Sequence, residues 1–233
     1  MKPCDVLLLG PHPDDVELAA AGTILKLVAG GSRVSIVDAT RGEQGSRGSP
    51  EERAQEAAAA AQRLGLLERH DLGLPDTAVV VDDRATAALV AVLRSARPRL
   101  LFAPWADDVH PDHVAVGQLA ARAFFLAGLK QHAPDLGAPY RPALLIRYPG
   151  NKPLEPTFVV DIGAVLAQKA EVIRCYRSQL QPADKSHMVQ GLDLLERAQV
   201  RDRFYGARVA CAAAEPFWLD GPLPLRDLQP LMA

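Results

Sequence analysis

Short apolar runs alternate with longer stretches of helical periodicity along most of the chain. Asp5–Leu9 is nearly continuous in aliphatic residues, the pattern of a strand buried on both faces. Val16–Val28 keeps apolar residues over the length of a helix, and Gly30-Gly31 ends it. Arg33–Asp38 is the next strand. The segment Thr40–Pro50 is rich in Gly and Ser and has no apolar period, so it reads as a loop. Ser49 is placed to cap the following helix, with Pro50 at its first position and Glu52 completing a capping box. The alanine-rich run to Leu64 has high helix propensity. Arg69–Leu74 predicts a short strand stopped by Pro75-Asp76. A helix over Arg84–Ser95 leads into a strand at Leu100–Ala103, and a second helix covers His113–Ala127. Beyond a Pro-rich loop at Ala133–Pro142, strand patterns return at Ala143–Tyr148 and Thr157–Ile162. Helices over Ala164–Ser178 and Leu192–Tyr205 precede an irregular Pro-rich tail. Strand–helix alternation of this kind predicts a Rossmann-like three-layer α/β/α arrangement with a mostly parallel sheet. No repeat or linker divides the 233 residues, so 1–233 is expected to form one domain.

Composition narrows the partners. Hydrophobic residues make up 48% of the chain and charged residues 23%, the balance of a soluble globular protein. A net charge of −2 leaves no basic footprint for nucleic acid and no polybasic face for anionic lipid. Cys4, Cys175 and Cys211 are widely spaced and odd in number, which fits neither a disulfide framework nor a zinc-finger spacing. Val6–Leu9 is too short for a signal segment or a membrane span, so the expected address is the cytoplasm.

Two strand ends concentrate the polar chemistry. Pro11-His12-Pro13-Asp14-Asp15 follows the first strand, and Asp107-Asp108-Val109-His110-Pro111-Asp112-His113 follows Leu100–Ala103. In open parallel sheets, ligands bind beyond the carboxyl ends of the strands. A catalytic zinc takes three ligands from His and carboxylate and keeps a position open for water. His12 and Asp15, one helical turn apart, can aim at the same ion, and His113 supplies the third ligand from the other loop. Asp14 is then free to act as general base. His110, one turn before His113, is the candidate oxyanion stabiliser and proton donor. Asp112 is placed to bond His110 or to steady a metal-binding histidine. His70, His132 and His187 stand alone and carry no such reading. Asp38 sits where a dinucleotide-binding protein places its ribose carboxylate, but no G-x-G-x-x-G follows the first strand. The loop Gly42–Gly48 lacks the Lys-Ser/Thr of a P-loop and is expected to be a flap over the site.

The motif PHPDDVE at 11–17, with HPDH at 110–113, resembles the PIG-L / LmbE-like family of zinc-dependent N-acetylglucosamine deacetylases. TRGEQGSRGSPEER at 40–53, LPD at 74–76, YRSQ at 176–179 and AEPF at 214–217 extend the likeness over almost the whole chain. It is greatest to the bacillithiol-biosynthesis branch, which deacetylates N-acetylglucosaminyl-malate. Two departures are Pro11 before the first histidine and the alanines before Glu215. The resemblance implies His12, Asp15 and His113 as ligands to one Zn2+ (Fe2+ being the alternative in the cell), Asp14 as base and His110 at the oxyanion. It implies Arg53, Asp76 and Arg141 as contacts to the sugar conjugate. It also implies a homo-oligomer, trimer or hexamer. Two rivals remain at this level: a mononuclear iron(II) oxygenase, which also uses two His and one carboxylate, and a Rossmann-like binding module without catalysis.

Overall fold

A computed structural model describes residues 1–180 and 193–223. His187 and the tail beyond 223 lie outside the described residues. The elements run β1 (Val6–Gly10), α1 (Asp15–Ala29), β2 (Val34–Asp38), α2 (Pro50–Leu64), β3 (Glu68–Asp71), α3 (Asp83–Ala96), β4 (Leu100–Pro104) and α4 (Pro111–Leu126). They continue as β5 (Leu144–Tyr148), β6 (Phe158–Asp161), α5 (Leu166–Ile173), α6 (Leu194–Ala207) and β7 (Ala214–Leu219).

The seven strands form a sheet in the order β3-β2-β1-β4-β5-β7-β6. From β3 to β5 all neighbours are parallel. The order 3-2-1-4-5 is the Rossmann-type winding, with the chain reversing direction of growth between β1 and β4. β7 enters antiparallel to both β5 and β6. Alternation along β1 divides the core. Leu7 and Leu9 face the α3–α4 layer, and Val6 and Leu8 face the layer of α1, α2 and α5. No helix among the described residues is long and apolar enough to cross a membrane.

The helix starts follow local chemistry. Ser49 accepts from the Glu52 amide at 3.2 Å while the Glu52 carboxylate accepts from the Ser49 amide at 2.8 Å, the expected reciprocal cap. Two expectations fail. The helix expected over Ala164–Ser178 is a short 3-10 turn followed by α5, which ends at Ile173. The last turn tightens, with the Tyr176 amide bonding the Ile173 carbonyl, and this carries Tyr176 into the interior. The tail expected to be irregular begins with a strand, β7. Pro216 argued against one, yet the Ala213 and Phe217 carbonyls both accept from the β6 side. Alternation therefore turns the Pro216 nitrogen to the other edge, where β5 pairs only with Trp218 and Leu219 and asks nothing of residue 216.

Leu8 is almost fully buried on the central strand. Leu8→Ala should therefore lower stability by about 2–5 kcal/mol. Urea denaturation should show the midpoint falling with the slope unchanged.

Candidate metal centre and active site

The centre lies beyond the carboxyl ends of β1 and β4, where the winding reverses. Three hydrogen bonds to backbone carbonyls pin the β1 loop. Ala39 N–H donates to the Gly10 carbonyl at 2.7 Å, and both the amide and hydroxyl of Thr40 reach the Pro11 carbonyl. Tyr148 on β5 donates to the Leu9 carbonyl at 2.6 Å. The first histidine is thus held by neighbouring strands before α1 begins.

His12, Asp15 and His113 come together as one donor set, with ligand atoms mutually within 4.8 Å. His12 Nδ1 is 3.1 Å from Asp15 Oδ2, and His113 Nε2 is 3.3 Å from the same oxygen. Donors about 2.1 Å from a tetrahedral ion stand about 3.4 Å apart, so the spacing and the mixed N/O chemistry fit a divalent metal. Each histidine is backed by a carboxylate on its other nitrogen, the arrangement that fixes the orientation of a metal-binding imidazole. His12 Nε2 is 3.1 Å from both Asp112 Oδ2 and Asp76 Oδ1. His113 Nδ1 is 3.4 Å from Asp108 Oδ2.

The charge balance points the same way. Burial opposes a charge on His12, but hydrogen bonds to Asp112, Asp15 and Asp76 outweigh it and raise its pKa to about 12. Burial likewise opposes a charge on His113, and Asp15 and Asp108 overturn it, raising the pKa to about 10. Burial would push Asp15 up, yet the two imidazoles hold it well below the usual carboxylate range. The acidic surroundings demand positive charge at this point.

Asp14 differs from its neighbour. It occupies the N-cap position of α1 with φ 115° and makes no side-chain capping bond. A left-handed φ is costly for a residue with a Cβ, and it turns the carboxylate into the cavity instead of onto the helix. Burial and the nearby Asp15 charge raise its pKa to about 7, with Arg53 and His12 pulling the other way. Arg53 Nη2 stands 3.7 Å from Asp14 Oδ2 and donates to the Pro13 carbonyl at 3.0 Å.

His110 caps α4, its Nδ1 accepting from the Asp112 amide at 3.2 Å. A neutral ring that accepts at Nδ1 carries its proton on Nε2. Burial, with His12 and His113 nearby, keeps its pKa below the usual histidine value. Its ring centroid is 4.8 Å from that of His12 and 5.0 Å from that of His113.

Of the two partners expected for Asp112, the structure brings it to His12. Its Oδ2 also accepts from Thr77 N–H at 2.8 Å and its Oδ1 from Val79 N–H at 3.2 Å. Asp76 faces the back of His12 while lining the cavity, and Gln44 N–H holds its other oxygen at 2.7 Å. Arg53 lines the same cavity, which encloses about 690 Å³. Arg141 does not reach it. Its guanidinium donates to the Phe125 carbonyl at 2.9 Å and lies over the Phe125 ring. α4 starts at the centre, so its sixteen residues carry Phe125 and Arg141 about 24 Å away. Asp38 is held by Arg69 through two bonds, at 2.7 and 3.0 Å, and so offers nothing to a ribose. The Gly42–Gly48 loop does cover the site, and Arg53 donates to its Gly42 carbonyl at 2.8 Å.

Several residues of the site and its surroundings escape a reading of the sequence. Asp108 takes bonds from His110 N–H and from Asn151, besides facing His113. Its place in the acidic run was a usable signal. Asn151, just past the end of β5, had the signal of a strand end. Arg197 and Arg201, on the wall formed by α6, had none.

An open α/β sheet with two histidines and a carboxylate converging at its switch point, beside a spare buried carboxylate, defines the frame of a metal-dependent hydrolase. A family model described as GlcNAc-PI de-N-acetylase, PIG-L, matches residues 7–124, and the chain belongs to that family. A Rhodococcus jostii relative, 1D-myo-inositol 2-acetamido-2-deoxy-α-D-glucopyranoside deacetylase, is 31% identical across 75% of this chain and 81% of its own length. Among solved structures, a conserved protein of Thermus thermophilus is 39% identical with a TM-score of 0.85, covering 97% of this chain and 98% of that one. An N,N'-diacetylchitobiose deacetylase from Pyrococcus horikoshii, solved with an inhibitor, is 26% identical with a TM-score of 0.82, covering 96% and 88%.

His113→Ala should abolish stoichiometric metal in elemental analysis of the purified protein; full retention would remove it from the ligand set. Asp108→Asn should retain a bound metal but weaken its affinity by about 10–100-fold, the scale for losing a carboxylate behind a metal-binding histidine. Competition with a chelator measures this.

Proposed function

We propose that the chain is a metal-dependent deacetylase that hydrolyses the 2-acetamido group of an N-acetylglucosamine conjugate, with residues 1–233 acting as one domain. The convergence of His12, Asp15 and His113 beside Asp14, whose carboxylate makes no capping bond, carries this reading. His12, Asp15 and His113 would hold the ion, zinc being the metal we favour and iron(II) the alternative. When bound, such an ion supplies Lewis acidity and makes water a better nucleophile near neutral pH.

The chain's own groups account for the rest. Asp14 accepts a proton from the attacking water, a task suited to a carboxyl poised near neutrality. Asp112 and Asp76 fix His12, and Asp108 fixes His113. His110 Nε2–H donates to the carbonyl oxygen as negative charge builds there, and a neutral ring does this without first acquiring a proton. As the C–N bond breaks, the amine takes up one proton, and acetate and the free amino sugar result. Asp14, having accepted a proton, and His110 are the groups placed to return it. Arg53 and Asp76 line the cavity where sugar hydroxyls would lie. An iron(II) oxygenase would have no use for Asp14 and His110 as an acid–base pair, and a binding module would not need a strained carboxylate.

For the aglycone we favour an acidic group, as in N-acetylglucosaminyl-malate, the bacillithiol precursor. Arg197 and Arg201 line the cavity and give one wall guanidinium groups suited to carboxylates. The inositol conjugate and diacetylchitobiose named for the relatives have no such charge. We place the enzyme in the cytoplasm, where three unpaired cysteines are at home, and expect a homo-oligomer, trimer or hexamer.

Acetate release should require metal, disappearing with chelator and returning with Zn2+ or Fe2+. In a panel of N-acetylglucosaminyl-malate, the inositol conjugate and diacetylchitobiose, the malate conjugate should give the highest kcat/KM; a neutral conjugate ahead of it would reject the acidic aglycone. Asp14→Asn should keep its metal and lose about two orders of magnitude in kcat, whereas near-normal turnover would remove Asp14 from its role. His110→Ala should also keep its metal and lose rate.

A further inference from the structure

Away from the metal, one buried carboxylate is bonded in a way a helix does not ordinarily allow. Glu215 on β7 accepts from the backbone N–H groups of Gly22 at 2.8 Å and Thr23 at 2.7 Å, both in the middle of α1. In an uninterrupted α-helix those donors would serve the carbonyls of Leu18 and Ala19. Position 22 has to be glycine for this contact, since a Cβ there would lie 2.6 Å from Ile162. The Leu18 carbonyl, one turn before Gly22, accepts from Arg201, whose Nη2 donates to it from α6.

A second route leads from Glu215 to the same arginine. Its Oε1 is 2.7 Å from Lys169 Nζ, and Lys169 is 2.7 Å from Asp202 Oδ2. Asp202 Oδ1 lies 3.6 Å from Arg201 Nε. Glu215, Lys169 and Asp202 are all buried. The chain of charges alternates in sign and ends at the one member that lines the cavity, Arg201.

We propose that Glu215 is a positioning residue for substrate recognition. Its carboxylate holds the Gly22 and Thr23 amides of α1 beside Leu18 and anchors Lys169–Asp202, and both contacts fix the Arg201 guanidinium in the cavity wall. Without the charge on Glu215, the Lys169–Asp202 pair and the Leu18 turn of α1 lose a common anchor, and Arg201 is released from its place. The kinetic consequence rests on the deacetylase reading; the structural consequence does not.

The test has two arms. In crystal structures of wild type and Glu215→Gln, the variant should show the Arg201 side chain moved from its place in the cavity wall. An unmoved Arg201 overturns the proposal whatever the enzyme's substrate. In kinetics with N-acetylglucosaminyl-malate, Arg201→Ala and Glu215→Gln should each raise KM about tenfold, the scale of a lost charged hydrogen bond, with a smaller effect on kcat. The double variant should match Arg201→Ala alone within about twofold, because both changes remove one contact. Multiplying effects, or a loss confined to kcat, overturn the positioning role. If Glu215→Gln does not fold, Asp202→Asn cuts the other route to Arg201 and is judged by both arms. Absence of acetate release from wild type would refute the deacetylase reading and leave the crystallographic arm to decide.

Discussion

One imidazole surrounded by carboxylates sets the terms for the rest of the molecule. His12 faces Asp15 on one nitrogen and Asp76 and Asp112 on the other, each at 3.1 Å. Like charges gathered this closely repel unless a cation sits among them. The parallel sheet makes the gathering possible, because it brings the ends of β1 and β4 side by side while placing their residues a hundred positions apart in the chain. A site of this kind concentrates negative charge, the surroundings that suit a divalent cation.

The surrounding layer keeps these charges from collapsing the site. Arg69 reaches Asp38, Glu17 and Tyr176 beneath the first loop. Arg53 spans from the Pro13 carbonyl to the Gly42 carbonyl, tying the covering loop to the loop of the first histidine. Arginine suits both places because its planar fork serves several acceptors at once and does not give up its proton. Backbone amides do comparable work: Thr77 and Val79 hold Asp112 while it orients His12. The site residues therefore sit on loop ends and helix starts whose freedom has been removed by bonds to neighbouring elements.

The mostly parallel α/β/α sheet and the two polar clusters that meet beyond it could be read from sequence because each rests on a local pattern. Aliphatic runs give buried strands, and the two polar clusters fall directly after two of them. The Ser49 cap was legible to the residue, since a reciprocal cap is a four-residue interaction. What could not be read depends on contacts between distant segments. α5 stops early because Tyr176 has partners in α1 and β3. β7 forms despite Pro216 because of which edge its nitrogen meets. Arg141 looked equivalent to a substrate contact until the length of α4 carried it away, while Arg197 and Arg201 reach the cavity only through the docking of α6. Local chemistry writes the centre of the site, and tertiary packing writes its walls.

The left-handed backbone at Asp14 has a consequence for anyone engineering this scaffold. Glycine accepts that conformation freely, and replacing the carboxylate also removes a buried charge from beside Asp15. Both changes favour the folded protein at the position proposed as the general base. With Asp14 as the base, selecting variants for heat tolerance alone would drift toward inert proteins at residue 14, so a library built on this chain needs a catalytic screen alongside the thermal one.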